Sequence, residues 1–373
     1  MKKGLLILLP MLLMWGMTGV KAQEIATWYG FSPCAVTFTF DDGAPSHITD
    51  VAPLFDSYGY KASFYLVTNW NPNWTAFTTM ADNGHEIGSH SKTHGQNMTG
   101  EEASSKQTIE QNIPNHSCLT VAYPNCNVPN ETAVLQNYIG GRICNGSWQG
   151  LSDIMGKNGP DNWAKVPAIL TGSTGTFNAA SKFTDAMDGA RQTNGWVMFL
   201  THGLQGKNNG NATYSPTDIN AIEGALRWAK QNEIWVTSFC NAAMYCKERM
   251  SSEFTETARD ASSITYSLVH SIADNVCRYE FPLTLRVLLP EAWTQVEVLQ
   301  DEESIDSQIK DGFIYFDAVP NGGEIVVRNA NADGLEDVIS MKSQTVNRKI
   351  VRDGQLYLLH GEKVYTSQGQ EVR

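Results

Sequence analysis

From residue 35 to about 240 the chain alternates short apolar runs with amphipathic stretches. Val36, Phe38 and Phe40 alternate with Thr37 and Thr39, the period-2 pattern of a buried strand. Further strands are predicted over 62–67, 84–89, 119–123, 196–201 and 234–239. A helix is predicted to begin near Pro45-Ser46, with Val51, Leu54 and Phe55 as its apolar stripe and Gly59 as its stop. Residues 218–231 read as another, with Ile219, Ile222, Leu226 and Ala229 on one face. Strands alternating with helices predict a parallel α/β sheet or barrel.

Past residue 250 the pattern changes. Short alternating strands over 264–269, 283–288, 295–299, 312–316 and 323–327 are separated by turn residues such as Pro320-Asn321-Gly322-Gly323. That spacing predicts a β-sandwich. At the end, 355–359 and 363–366 read as a hairpin. At the start, Lys2 and Lys3 precede an apolar run over 5–14 that is too short to span a bilayer. With the small residues Val20 and Ala22 it reads as a signal peptide cleaved after Ala22, so the chain is expected to be exported. The expected division is therefore 1–22 signal peptide, 23–250 catalytic α/β domain, 251–340 β-sandwich accessory domain and 341–373 hairpin tail.

Charge and cysteine content narrow the partners. The formal charge is −12, and becomes −15 once Lys2, Lys3 and Lys21 leave with the leader. An acidic exported chain is a poor match for nucleic acid, and neutral or cationic glycans suit it better. No segment after the leader is long and apolar enough to cross a membrane, and nothing in the sequence sets an oligomeric state. Seven cysteines leave at least one unpaired in a monomer. Cys118 with Cys126, and Cys240 with Cys246, are near enough for short loops, but no spacing is that of a zinc knuckle.

The chemistry concentrates in two stretches. The first strand runs into Asp41-Asp42-Gly43, where two neighbouring carboxylates disfavour each other's ionisation. A cation bound by one of them removes that difficulty. His90-Ser91-Lys92-Thr93-His94 supplies two imidazoles four residues apart, able to face one ion if the backbone turns helically.

The run Thr39-Phe40-Asp41-Asp42-Gly43, followed by Gly88-Ser89-His90-Ser91-Lys92-Thr93-His94, resembles the NodB-type polysaccharide deacetylases, carbohydrate esterase family 4. The resemblance covers roughly residues 23 to 250. It implies a distorted (β/α) barrel with chemistry at the C-terminal ends of its strands. It also implies Asp41 as catalytic base, and Asp42, His90 and His94 as ligands of one divalent metal ion, usually zinc, with cobalt or nickel as alternatives. His202, closing the apolar strand over 197–201, falls where the family has its general acid. Leu200 falls where it has the leucine of the acetyl pocket, although Leu200 serves equally as core.

Residues 121–126 stand where the family has Arg-Pro-Pro-Tyr-Gly. Asn125 would give the oxyanion its backbone N–H, while Ala122 replaces the arginine that normally holds the catalytic aspartate. Arg142, on the next strand, is either its substitute or a surface arginine. The family's Asp-x-x-Asp-Trp segment has no good counterpart. Asp153 and Asp161-Asn162-Trp163 are loose candidates, so the group orienting His202 is not identified.

The expected substrate is an acetylated polysaccharide or oligosaccharide. N-deacetylation of chitin-like or peptidoglycan-like sugars is set against two alternatives: O-acetyl esterase action on xylan-like polymers, and glycan binding on a degenerate catalytic scaffold. The last residues, 349–373, resemble the C-terminal sorting tails of type IX secretion substrates.

Overall fold

A computed structural model describes residues 22–331 apart from 147 and 174–176, together with the backbone of strands Asn347–Arg352, Gln355–His360, Lys363–Thr366 and Glu371–Val372. The expected signal peptide over 1–22 lies, apart from Ala22, outside the described residues.

Eight parallel strands form the first layer among the described residues: β1 Ala35–Phe40, β2 Ser63–Leu66, β3 Glu86–Ser89, β4 Thr120–Ala122, β5 Gly140–Arg142, β6 Ile169–Leu170, β7 Trp196–Thr201 and β8 Trp235–Val236. The order is β5-β4-β3-β2-β1-β7-β6, with β8 pairing to the start of β1. The segment before β6 returns to the far edge. The Gly141 N–H reaches Trp163 O, the Ile143 N–H reaches Val166 O and the Asn145 N–H reaches Ala168 O, each at 2.8 Å. Since β6 itself pairs with β7, these bonds close the sheet into a distorted (β/α) barrel, as expected.

Alternation along β1 and β7 sorts their side chains. Val36, Phe38, Phe40, Val197 and Phe199 pack outward in one cluster with Phe55, Phe183 and Ile222 of the surrounding helices. Trp196, Met198 and Leu200 belong to a second cluster with Tyr65 and Phe239, and the Trp196 indole donates to Thr37 Oγ1 inside the barrel. The expected first helix is a π-helical turn, His47–Val51, running into the α-helix Ala52–Tyr58, which Gly59 ends at φ 74°. The helix Ile219–Gln231 starts at Asp218, whose side chain accepts the Asn220 N–H. Helix Phe239–Ser251 docks beneath the barrel, where Ser63 accepts the Phe239 N–H and Glu86 accepts that of Cys240.

The C-terminal part is two antiparallel sheets. One orders Gln23–Ile25, Leu283–Leu288, Phe313–Ala318 and Ser307–Lys310; the other orders Ser252–Arg259, Ser263–His270, Ile325–Asn329, Val296–Gln300 and Glu303–Ile305. Leu283, Leu285, Val287, Tyr266, Leu268, Val298, Ile314, Phe316, Ile325 and Val327 are buried in one cluster. The chain's first described strand, read above with the α/β domain, is thus an edge of this second unit, pairing Gln23 with Val287. The tail is a four-stranded antiparallel meander rather than a single hairpin. Among the described residues no helix is long and apolar enough to cross a membrane.

Candidate active site

Apart from Leu200, which lies within β7, every barrel residue singled out for chemistry ends a strand or follows one. Asp41 and Asp42 follow β1, His90 and His94 follow β3, Asn125 follows β4, Arg142 ends β5 and His202 follows β7. In a parallel barrel these positions converge on one face. The β1 turn needs left-handed backbone at Asp42 (φ 73°) and Gly43 (φ 61°). A side chain at position 43 would also meet Leu66 Cδ2 at 2.9 Å and push that leucine aside, so glycine is favoured there.

The histidine pair departs from expectation. Residues 90–94 form an irregular loop, not a helical turn, because Ser91 and His94 are both left-handed (φ 69° and 56°). Glu101 holds that loop by accepting the N–H groups of Lys92 and Thr93 and the Thr93 hydroxyl at 2.8, 3.0 and 2.6 Å. Convergence is kept all the same. His90 Nε2 and His94 Nε2 lie 3.5 and 3.6 Å from Asp42 Oδ1. His90 Nδ1 sits 2.8 Å from Ala122 O; a carbonyl only accepts, so Nδ1 carries the proton and Nε2 is free. Trp70 stacks on His94 with ring centroids 5.0 Å apart.

These residues fit a divalent metal. Asp42 Oδ1 is buried with no hydrogen-bond partner among the described residues, and the three donor atoms lie within 4.8 Å of one another. One carboxylate oxygen and two imidazole nitrogens suit an ion that keeps an open coordination position. Electrostatics agree. Burial, and then the neighbouring Asp41 charge, push the Asp42 carboxyl up to about 7, Arg142 offsetting them in part. Burial also drives His90 down to about 4, against the pull of Asp41.

Arg142 is not a surface residue. It is 1 % exposed, and its guanidinium donates to Asp41 Oδ2 at 2.5 Å. Burial raises the Asp41 carboxyl, but Arg142 first, then His90 and His202, outweigh it and hold the group below the ordinary carboxylate range. Asp41 Oδ1 has no hydrogen-bond partner among the described residues and stands available to take a proton.

His202 is close enough to Asp41 to feel its charge, although burial dominates and lowers the imidazole's pKa. Its Nδ1 is buried and has no partner among the described residues. Neither loose candidate supplies one: Asp153 accepts from the Gln149 N–H and the Asn145 amide, and Asp161 is exposed. Leu200 is buried within the barrel-interior cluster. The loop carrying Asn125, left-handed at Asn125 and Cys126 (φ 53° and 60°), is tied to the histidine loop by the Asn125 amide donating to Gly95 O at 3.0 Å. A disulfide joins Cys126 to Cys144 beyond β5. Cys118, Cys240 and Cys246, weighed above as loop-formers, are free thiols, as are Cys34 and Cys277.

A family model described as polysaccharide deacetylase matches residues 31–137, the span of β1 to the helix before β5. Over those residues the chain is similar to the polysaccharide deacetylase family. The match includes the aspartate pair, both histidines and Asn125, and bears out the resemblance to the NodB-type, carbohydrate esterase family 4 proteins. A curated relative, a gellan lyase from Bacillus sp, is 24% identical over 326 residues, or 82% of this chain. The chain spans only 13% of that protein's length. Two solved structures are similar. The Xyl-CE4 domain of a multidomain xylanase from the hindgut metagenome of Trinervitermes trinervoides is 20% identical, with a TM-score of 0.37, covering 56% of this chain and 88% of that one. A family 4 acetyl xylan esterase from Clostridium thermocellum, in complex with cobalt, is 19% identical with a TM-score of 0.35, covering 55% and 88%. Overlaps of this size carry nothing about substrate.

Proposed function

We propose that this chain is an exported, metal-dependent deacetylase that removes acetyl groups from N-acetylated sugars of a polysaccharide. The observation that carries the reading is the buried Arg142–Asp41 pair beside the Asp42, His90 and His94 donor set, with Asp41 Oδ2 3.8 Å from His90 Nε2. An ionised carboxylate held against a metal-type donor set is what a general base for hydrolysis requires.

Asp42, His90 and His94 would hold one divalent ion, which when bound supplies a Lewis acid and lowers the pKa of water. Asp41, kept ionised by Arg142, accepts the proton of the attacking water. The Asn125 N–H donates to the oxyanion. His202 delivers a proton to the departing sugar amine, and Leu200 borders the acetyl methyl.

The same groups serve an O-acetyl ester, whose leaving alcohol needs the same proton. A degenerate, glycan-binding scaffold is the other reading, favoured by the unpartnered His202 Nδ1. Acetate release from chitin oligosaccharides, peptidoglycan and acetylated xylan, measured with and without chelator, separates the three. Chelator-sensitive release from the N-acetylated substrates is expected. Release from xylan alone favours the esterase, and no release from any substrate, with glycan binding retained, overturns the enzyme.

A further inference from the structure

His202 is held in an unusual way. Its ring lacks a partner at Nδ1 among the described residues, yet its backbone is bound from the side on which Asp41 and Asp42 sit. His47, five residues past Asp42 and fully buried, lies with Nε2 2.8 Å from His202 O. The Ala44 N–H donates to the other ring nitrogen, Nδ1, at 3.2 Å. With Nδ1 accepting, the ring proton must be on Nε2, which therefore donates to the His202 carbonyl. Burial lowers the His47 pKa to about 4, so this neutral tautomer persists through the neutral range. The ring is also wedged by aromatic neighbours, Phe40 at 5.4 Å and Phe64 at 5.7 Å between centroids.

The contact is part of a larger clamp. Ser46 Oγ donates to Asn209 Oδ1 at 2.8 Å, and the Ser46 N–H reaches Asn208 O at 3.0 Å. Asn209 closes the turn after His202, accepting the Leu204 N–H and donating back to Leu204 O, both at 2.8 Å. Lys207 pairs with Asp50 at 2.5 Å on the rim. The turn after Asp41-Asp42 and the turn after His202 are thus bonded at several points, with His47 the buried one nearest the reacting groups.

We propose that His47 is a positioning residue: by bonding both Ala44 N–H and His202 O, it fixes the distance between the Asp41–Asp42 turn and the His202 imidazole. This stands on the reading of His202 as proton donor. The ring of a strand-end histidine follows its backbone, and misplacement of a reacting group by about 1 Å can cost roughly a hundredfold in rate. His47 thereby supplies, through the backbone, a constraint that no described side chain supplies at His202 Nδ1.

The test compares His47→Phe, which fills the site but makes neither bond, with His47→Gln, whose amide still donates. Hydrolysis of a small acetyl ester and of a chitin oligosaccharide is followed in the full chain, with metal content and melting temperature measured alongside. His47→Phe is expected to lower kcat by about tenfold or more, with KM and metal content unchanged, and His47→Gln to recover most of it. Asn209→Ala, which loosens the same turn from its outer side, should lower kcat in the same direction and serves if His47→Phe does not fold. The inference is overturned if His47→Phe keeps wild-type kcat, or if the Phe and Gln variants lose activity equally and in step with melting temperature. Inactive wild type would instead sink the deacetylase reading itself.

Discussion

Removing the Arg142 side chain is the most direct perturbation of the site. Arg142 and Asp41 are 1 % and 2 % exposed, so Arg142→Ala leaves a carboxylate buried without its counter-charge. Breaking a buried pair from one side costs about 3–5 kcal/mol. The neighbouring imidazoles are weak replacements: burial holds His90 at about 4 and lowers the His202 pKa below that of an ordinary imidazole. Asp41 then escapes the cost by binding a proton, and each unit by which its pKa rises relieves ~1.4 kcal/mol.

The sign follows from the wild-type balance. There the folded Asp41 pKa lies below the unfolded one, so its contribution is present above pH ~4 and is lost as pH falls through the folded value. In Arg142→Ala the largest opposing influence is gone, burial outweighs the pull of His90 and His202, and the folded pKa is expected above the unfolded one. Its contribution is then present below pH ~4 and is lost as pH rises through the folded value. The stability gap between wild type and variant should widen from pH 5 to pH 8 in denaturant unfolding of metal-free protein. The acidic limb of the pH–rate profile on a small acetyl ester should move up, with metal content unchanged. A loss under about 1 kcal/mol at pH 8, together with an unmoved acidic limb, would refute the pairing as the source of Asp41's ionisation.

Three further outcomes are expected. Asp41→Asn should keep its metal and lose roughly 10²- to 10⁴-fold in turnover, whereas Asp42→Asn should lose metal and recover activity when metal is added in excess; elemental analysis beside turnover distinguishes them, and metal rescue of Asp41→Asn would reverse the roles. His47 is held at about 4 against an ordinary 6.5, so the unfolded chain takes up its proton first and stability falls by about 3 kcal/mol as pH drops from about 6.5 to 4; unfolding midpoints should show that slope in wild type and a shallower one in His47→Phe. Cys126 and Cys144 are 18 residues apart, so Cys126→Ser should cost about 3 kcal/mol by loop closure and reduce turnover by freeing the Asn125 loop; unchanged melting temperature and turnover would make the bond incidental.

Much of this architecture was readable from periodicity. The alternation over 36–40 and the apolar run over 196–201 marked two central strands, and the expected helix stop at Gly59 is a left-handed cap. What escaped was non-local. The strand Ile169–Leu170 is two residues long and has no period, and its meaning lies in hydrogen bonds that 163–170 makes to β5 and β7. Gln23–Ile25 pairs across some 260 residues with Leu283–Leu288, which no local pattern encodes. A four-residue spacing suggested a helical turn at His90 and His94, but the same spacing is met by a loop when Ser91 and His94 are left-handed and Glu101 pins the backbone between them. The disulfide joins cysteines on neighbouring strand ends, so short sequence separation favoured the wrong pairs.

The arginine shows how a site can be kept while its motif is lost. Ala122 occupies the position at which the family's segment has arginine, and in the parallel register of β4 and β5 the residue paired with Ala122 is Arg142. Paired residues on adjacent parallel strands face the same side of the sheet, one strand spacing of about 4.8 Å apart. A guanidinium on a long, flexible stem spans that offset and still ends on Asp41 Oδ2. The requirement is therefore a cation at a given height inside the barrel, not an arginine at a given place in the sequence. His202 departs from that logic. Its ring has no described partner at Nδ1, and what the fold holds is its backbone, through the carbonyl bound by His47. At Asp41 the barrel's registry brings another residue to the atom that needed it, whereas at His202 the constraint moves from the ring to the main chain.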